Sequence, residues 1–273
     1  TMTNPKNNLD GPVAVVGGGV VGCFVAYCLA GMGVPVTLID QEGPGAGATG
    51  NSAGNVQPAS GDDDAYKIAL GAESLALWRK HLPRIKEVGG NDFGDQDVRY
   101  LYAAVNENEE RGVREVLSGL HGAGLKAEWV DGQTAREIEP NLSGSIIGGT
   151  LHQDCIQMDP KLFMAAFATA AAQQSARILT HHEVTGITAL GDGTYRVAVA
   201  GEDFHAENVV LATGAWCGPL GAMLGIRIPI IPVRGQMWAT PVLPLRVFHT
   251  LSSSESALQW NTEQGNDSET PPD

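Results

Sequence analysis

Gly17, Gly19 and Gly22 stand in the order G-x-G-x-x-G, and an acid, Asp40, follows 23 residues after Gly17. A glycine turn of this spacing lets an anion reach the backbone N–H groups at a helix N-terminus, where the partial positive charge favours a pyrophosphate. Gly17 permits the tight turn, Gly19 leaves room for the pyrophosphate, and Gly22 lets the helix pack closely on the strand before it. Asp40 is placed to accept hydrogen bonds from both hydroxyls of an adenosine ribose. Its charge repels a 2′-phosphate, which disfavours NADP and leaves NAD and FAD open.

The elements that must position these residues are legible around them. Val13-Ala14-Val15-Val16 is short and β-branched, as a strand buried on both faces is. The apolar run from Cys23 to Leu29, closed by Gly33, predicts a helix with a glycine C-cap. Val36-Thr37-Leu38-Ile39 predicts a second strand that stops on Asp40. The result is a β-α-β unit with the glycine turn in its required place. The charge-free stretch from Gly11 to Ile39 is neither a membrane span nor a signal sequence, because glycines and Pro35 interrupt it and Asp10 precedes it. No transmembrane segment is expected.

Composition narrows the function classes. The 273 residues are 43% hydrophobic and 18% charged, and 31 acidic against 17 basic side chains give a net charge of −14. Such a chain is globular and unsuited to nucleic acid, which is held by phosphate neutralisation. Glycine, 35 of the 273 residues, is about twice as frequent as the usual value of roughly 7%, so backbone must lie close to backbone or to a ligand. Cys23, Cys28, Cys155 and Cys217 have no C-x-x-C spacing and read as reduced thiols of a cytoplasmic protein, with no metal site. Cys23 falls in the first turn of the dinucleotide helix, where packing is the better reading than a lowered thiol pKa. His181 and His182 read as solvated or capping residues. Gly50-Asn51-Ser52-Ala53-Gly54 matches the G-x-S-x-G nucleophile elbow, but the Gly-Pro-Gly-Ala-Gly of residues 43–47 cannot form the strand that elbow needs.

The loop after Asp40, residues 41–58, is glycine-rich and too long for the strand-to-helix connection of an ordinary NAD domain. There the sequence resembles the FAD-dependent amino acid and amine oxidoreductases of the D-amino acid oxidase superfamily, through Gly47, Ala48, Thr49, Asn51 and Gly54 with Ser52 and Ala53 between. The resemblance continues through "EIEPNLSGSIIGG" (137–149), "QMDPKLFMAAFATAAAQQSARI" (157–178), "HHEVTGI" (181–187) and "AENVVLATGAWCGPL" (206–220). It implies an FAD site made by Gly17, Gly19, Val20, Val21, Gly22, Asp40, Gln41, Ala48, Thr49, Asn51, Ser52, Ala53, Gly54, Val184, Ala212, Thr213 and Gly214. Val184 would meet the adenine through its backbone. Arg234 would help hold a substrate carboxylate, with a structural salt bridge as an equal reading.

The implied fold class is α/β. A Rossmann-like FAD-binding domain with a parallel sheet, residues 1–90 and 151–222, is interleaved with an α+β substrate domain on a mixed or antiparallel sheet, residues 91–150 and 223–262. Residues 98–106 predict a strand of that sheet, a helix follows from Glu107, and 226–240 predict long alternating strands. Pro160 opens a helix whose buried face is Leu162, Ala166, Phe167 and Ala170. Residues 263–273, acidic and proline-ended, read as an unfolded tail.

The implied chemistry is hydride transfer from the amine-bearing carbon of an amino acid or secondary amine to flavin, giving an imine. The cofactor does the hard chemistry, so no catalytic side chain is named. Oxygen, a quinone or a partner protein would take the electrons, and a dehydrogenase would be peripheral to a membrane. Oligomerisation is left open. Two alternatives stand beside this reading. An NAD-dependent dehydrogenase is opposed by the 41–58 loop and by Ala212-Thr213-Gly214. A non-catalytic or truncated dinucleotide-binding subunit is favoured by a chain that begins with Thr1 and stops at Asp273, where the resemblance implies further chain. On that reading this polypeptide alone is inactive, holds flavin weakly and associates.

Overall fold

A computed structural model describes residues 11–59, 64–90 and 92–253. The chain runs through β1 (Val13–Val16), α1 (Val20–Gly31), β2 (Val36–Ile39), β3 (Asn55–Val56), α2 (Ala65–Gly89), β4 (Gln96–Ala104), α3 (Glu107–Gly122), β5 (Ala127–Asp131) and α4 (Gly132–Ile138). It continues through β6 (Gly148–Gln157), α5 (Pro160–Gln173), β7 (Arg177–Leu179), β8 (Val184–Ala189), β9 (Tyr195–Val199), β10 (Glu202–Ala206), β11 (Asn208–Leu211), α6 (Cys217–Met223) and β12 (Thr250–Ser253). Its described residues divide into two compact units, one within residues 1–54, 82–94 and 158–238 and the other within residues 55–81, 95–157 and 239–273. Residues 55–81 and 151–157 thus group with the second unit, where β3 pairs with the end of β6, and residues 223–238 with the first, each the other way round from the expected boundaries.

In the first unit four strands form a parallel sheet in the order β11-β1-β2-β7. Strand alternation sends Ala14, Val16 and Ile39 to one face, where they pack on Val184, Ile187, Val197, Val199 and Ala206 of the antiparallel sheet β10-β9-β8. Val13, Val15, Val36 and Leu38 are buried on the other face, where α1 lies. The helix ends at Gly31 because Gly33 takes φ +80, which lets its N–H bond Ala30 O at 2.9 Å and that of Val34 bond Leu29 O at 3.0 Å. Asp159 caps α5, accepting from the N–H groups of Lys161 and Leu162 at 2.9 Å.

Phe167 of α5 joins the helices. Its ring lies 5.9 Å from Phe24, 5.6 Å from Tyr27 and 5.2 Å from Phe163, distances at which tilted and edge-on aromatic pairs attract. The buried face of α5 is Phe163, Met164, Ala166, Phe167, Ala170 and Ala171. Leu162, expected on it, is 44% exposed, because the aromatic contacts turn the helix toward Phe163.

The second unit is built on a mixed sheet, β12-β4-β6-β3, with β5 also on β6. Strand β4 is parallel to β12 and antiparallel to β6. Tyr100, Tyr102 and Cys155 pack with Val113 of α3, and Leu101, Val130 and Leu151 pack with Ala135 of α4. Asn106 caps α3, accepting from the N–H groups of Asn108 and Glu109 at 3.0 Å while Glu109 Oε2 accepts from Val105 N at 3.0 Å. Buried Glu139 accepts hydrogen bonds from Phe248 N at 2.6 Å and His249 Nδ1 at 2.8 Å, and so ties down the approach to β12.

Residues 226–248 contain no strand, against the long strands expected over 226–240. Pro229, Pro232, Pro241 and Pro244 remove ladder donors. The alternating side chains also have no partner strand among the described residues, and Ile231 and Trp238 are 85% and 91% exposed. Arg234 belongs to this exposed segment. The expected tail, 263–273, lies outside the described residues, as do 254–262.

Two stability experiments follow from this packing. Phe167→Ala removes the ring shared by both helices and should cost about 3–5 kcal/mol in denaturant unfolding, whereas Leu162→Ala should stay within about 0.5 kcal/mol. Burial pushes His152 from 6.5 down to about 4. The unfolded chain therefore takes up this proton first as pH falls. Stability should drop between pH 6.5 and 4 by up to roughly 3 kcal/mol, and His152→Leu should remove that part of the slope.

Candidate functional site

In the parallel sheet β1 leads through α1 to β2 on one side, while β11 lies on its other side. Ligands of such sheets bind beyond the carboxyl ends of the strands where the order reverses. A cleft of about 520 Å³ opens there, lined by the ends of β1, β2 and β11, the turn at residues 17–21, the loop at 40–49 and residues 182–184.

The glycine turn is shaped by close backbone approach. Gly17 has φ +105, and a Cβ on it would strike the Ala212 carbonyl oxygen. A Cβ on Gly22 would strike the Gly17 carbonyl oxygen, so Gly22 packs behind the cleft and does not line it. Gly19 differs from both: a Cβ there would meet only Thr49 Oγ1, at 3.4 Å. Gly19 gives α1 no side-chain cap, and Thr49, from the following loop, accepts from Val20 N at 3.1 Å. Beyond Val20 N, the first turn of α1 has no side-chain cap and is open toward the cleft, as a diphosphate requires.

Asp40 stitches the loop to this turn. Its Oδ2 accepts from Gly18 N at 2.7 Å, and its Oδ1 accepts from Glu42 N at 2.9 Å and Gly43 N at 2.7 Å. Gly45 N returns a hydrogen bond to Gly18 O at 2.8 Å. Asp40, Glu42 and Glu183 line the cleft, and no Lys or Arg is among its described lining residues. Among the described residues, N–H groups and the α1 dipole are therefore what could hold a diphosphate there.

Of the expected residues, Gly17, Gly19, Val20, Val21, Asp40, Gln41, Ala48, Thr49, Val184, Ala212, Thr213 and Gly214 line the cleft. Asn51, Ser52, Ala53 and Gly54 do not. Asn51 Nδ2 donates to Ala46 O at 3.0 Å and Gly47 O at 2.9 Å, and Ser52 Oγ donates to Thr49 O at 2.8 Å, so these two brace the loop from outside. Gly54, with φ +75, abuts the Met158 carbonyl, and Ala53 is exposed. Arg234 is also absent from the cleft. The wall includes residues that sequence reasoning passed over: Gly18, Glu42, Ala46, His182, Trp216 and Cys217. All lie within six residues of an expected member, which is the signal that would have found them. His182, read as solvated or capping, stands in the cleft wall. Among the described residues no group of three or more His, Cys, Asp or Glu is placed to hold a metal ion, and no helix is long and apolar enough to cross a membrane.

Residues 12–261 match the family described as FAD dependent oxidoreductase. The chain is 29% identical over 226 residues to the glycine oxidase of Geobacillus kaustophilus (strain HTA426), which covers 82% of this chain and 60% of that protein. It therefore spans about 60% of the length of that relative. The crystal structure of glycine oxidase from Geobacillus kaustophilus superposes with a TM-score of 0.78 at 27% identity, over 89% of this chain and 66% of that one. Dithionite-reduced L-alpha-glycerophosphate oxidase from Mycoplasma pneumoniae, with FAD bound, has a TM-score of 0.68 at 26% identity, over 78% of this chain and 56% of that one.

Cys23 sits below the glycine turn, fully buried, with Sγ 3.6 Å from Gly18 O. Burial, with the Asp40 charge adding to it, pushes its thiol up to about 12, so the helix dipole makes no reactive thiolate here. Iodoacetamide at pH 7 should leave Cys23 unmodified in the native protein and label it after denaturation, as read by peptide mass spectrometry.

Proposed function

Because the chain belongs to the FAD dependent oxidoreductase family, we propose that its cleft holds FAD and that the complete protein oxidises the C–N bond of an amino acid or secondary amine to an imine. The observation that carries this reading is the open α1 N-terminus, facing a cleft that has Asp40 at its β2 wall. Bound FAD would supply the two-electron acceptor for the hydride leaving the amine-bearing carbon.

The chain's own residues bind and orient. The α1 N-terminus, with Gly19 lacking a side chain and Val20 and Val21 in the first turn, would face the pyrophosphate. Asp40 would accept from the adenosine ribose. Val184, at the start of β8, would face the adenine, and Ala212-Thr213-Gly214, at the end of β11, would keep side-chain bulk away from the cofactor. The first unit is assigned to FAD and the second to substrate. An amine that enters neutral requires no general base, so no side chain is assigned that role. Oxygen, a quinone or a partner protein would reoxidise the flavin. A second reading, oxidation of the C–O bond of a glycerol phosphate, is favoured by the likeness to the Mycoplasma pneumoniae oxidase.

A dye-reduction screen separates the two readings. D-amino acids, glycine, sarcosine and proline should reduce the dye with the complete protein, and reduction by glycerol 3-phosphate alone would establish the second reading. Gly19→Val puts a branched side chain where the pyrophosphate meets the helix and should abolish FAD retention. Asp40→Ala should weaken FAD at least tenfold, since hydrogen bonds to a charged group are each worth about 1.5–3 kcal/mol. Flavin fluorescence titration of the apoprotein reads both variants.

A further inference from the structure

His182 lies between β7 and β8, beyond a turn at His181 with φ 59. Its N–H bonds Asp40 O at 2.9 Å, which carries the β2–β7 pairing past the strand ends and sets His182 beside Asp40 in the cleft wall. Its ring Nδ1 is 2.6 Å from Thr180 O. A carbonyl oxygen only accepts, so in the neutral ring Nδ1 carries the hydrogen and Nε2 is left as an acceptor. Nε2 has no hydrogen-bond partner among the described residues.

The neighbouring carboxylate is nearly saturated. A carboxylate offers about four acceptor sites, and three at Asp40 are taken by Gly18 N, Glu42 N and Gly43 N. Both sites of Oδ1 are used, and Oδ2 keeps one. An adenosine ribose brings two hydroxyl donors. One acceptor at Asp40 therefore leaves one ribose hydroxyl to be met by another group.

We propose that His182 is a specificity-determining residue of the dinucleotide site, its Nε2 accepting a hydrogen bond from the ribose hydroxyl that Asp40 leaves unpaired. Thr180 O fixes the tautomer that makes this possible, and Asp40 and His182 share the ribose between them. The proposal rests on the assignment of the cleft to FAD.

ADP, 2′-deoxy-ADP and 3′-deoxy-ADP, titrated calorimetrically into the apoprotein, test it together with FAD. In the wild type each deoxy analogue should bind more weakly than ADP. His182→Leu should weaken ADP and FAD about three- to tenfold, in line with the loss of one neutral hydrogen bond, and should erase the penalty of one deoxy analogue while keeping that of the other. His182→Gln, whose amide oxygen can stand in for Nε2, should restore ADP to within about twofold, and both variants should unfold at the wild-type temperature. Wild-type affinity for ADP in His182→Leu, or unchanged penalties for both analogues, would overturn the proposal while leaving the cleft assignment intact. Failure of the wild-type apoprotein to bind either FAD or ADP would overturn the assignment and the proposal with it.

Discussion

The Asp40 carboxylate organises the site. It takes N–H groups from the glycine turn and from the loop after β2, two segments that would otherwise expose unpaired donors side by side. Hydrogen bonds to a charged acceptor are about twice as strong as neutral ones, so one side chain at the end of a strand holds both walls of the cleft. The same three bonds reduce what Asp40 can offer a ligand. An acid expected only to bind a ribose is first a structural clamp.

Beneath that clamp lies a constraint of distance. Gly17 sits against the Ala212 backbone and Gly22 against the Gly17 carbonyl, so β1, β11 and α1 converge more closely than side chains would allow. This convergence turns the α1 N-terminus toward the carboxyl ends of the strands, and Thr49 satisfies Val20 N from across the cleft wall. With no Lys or Arg among the described lining residues, backbone dipoles are what the proposed site would offer an anion. A chain with a net charge of −14 would therefore rely on local N–H groups where its overall field is unfavourable.

What was legible in the sequence followed local rules. The β-branched run at 13–16, the glycine spacing and the terminal acid together specify β1, α1 and β2, and Asp159 with Pro160 marks the start of α5. The misreadings have tertiary causes. Leu162 and Phe163 both suit a buried helix face, and only the ring partners decide, Phe93 for Phe163 and Phe24 and Tyr27 of α1 for Phe167. Residues 226–240 alternate as strands do, but alternation forms a ladder only beside another strand. Asn51 and Ser52 are polar residues of a flavin-like motif that here bond their own loop, a distinction spacing does not carry. His182 is two residues from Val184, but its place beside Asp40 shows only in the register, since β7 and β2 are far apart in sequence and adjacent in the sheet.

The proposed function requires that this cleft be the dinucleotide site. A crystal structure of the protein with FAD tests it most directly. The pyrophosphate is expected within hydrogen-bonding distance of N–H groups in the first turn of α1, and the adenosine ribose beside Asp40 and His182. FAD bound away from the turn at residues 17–22, or bound with its ribose remote from Asp40, would contradict it.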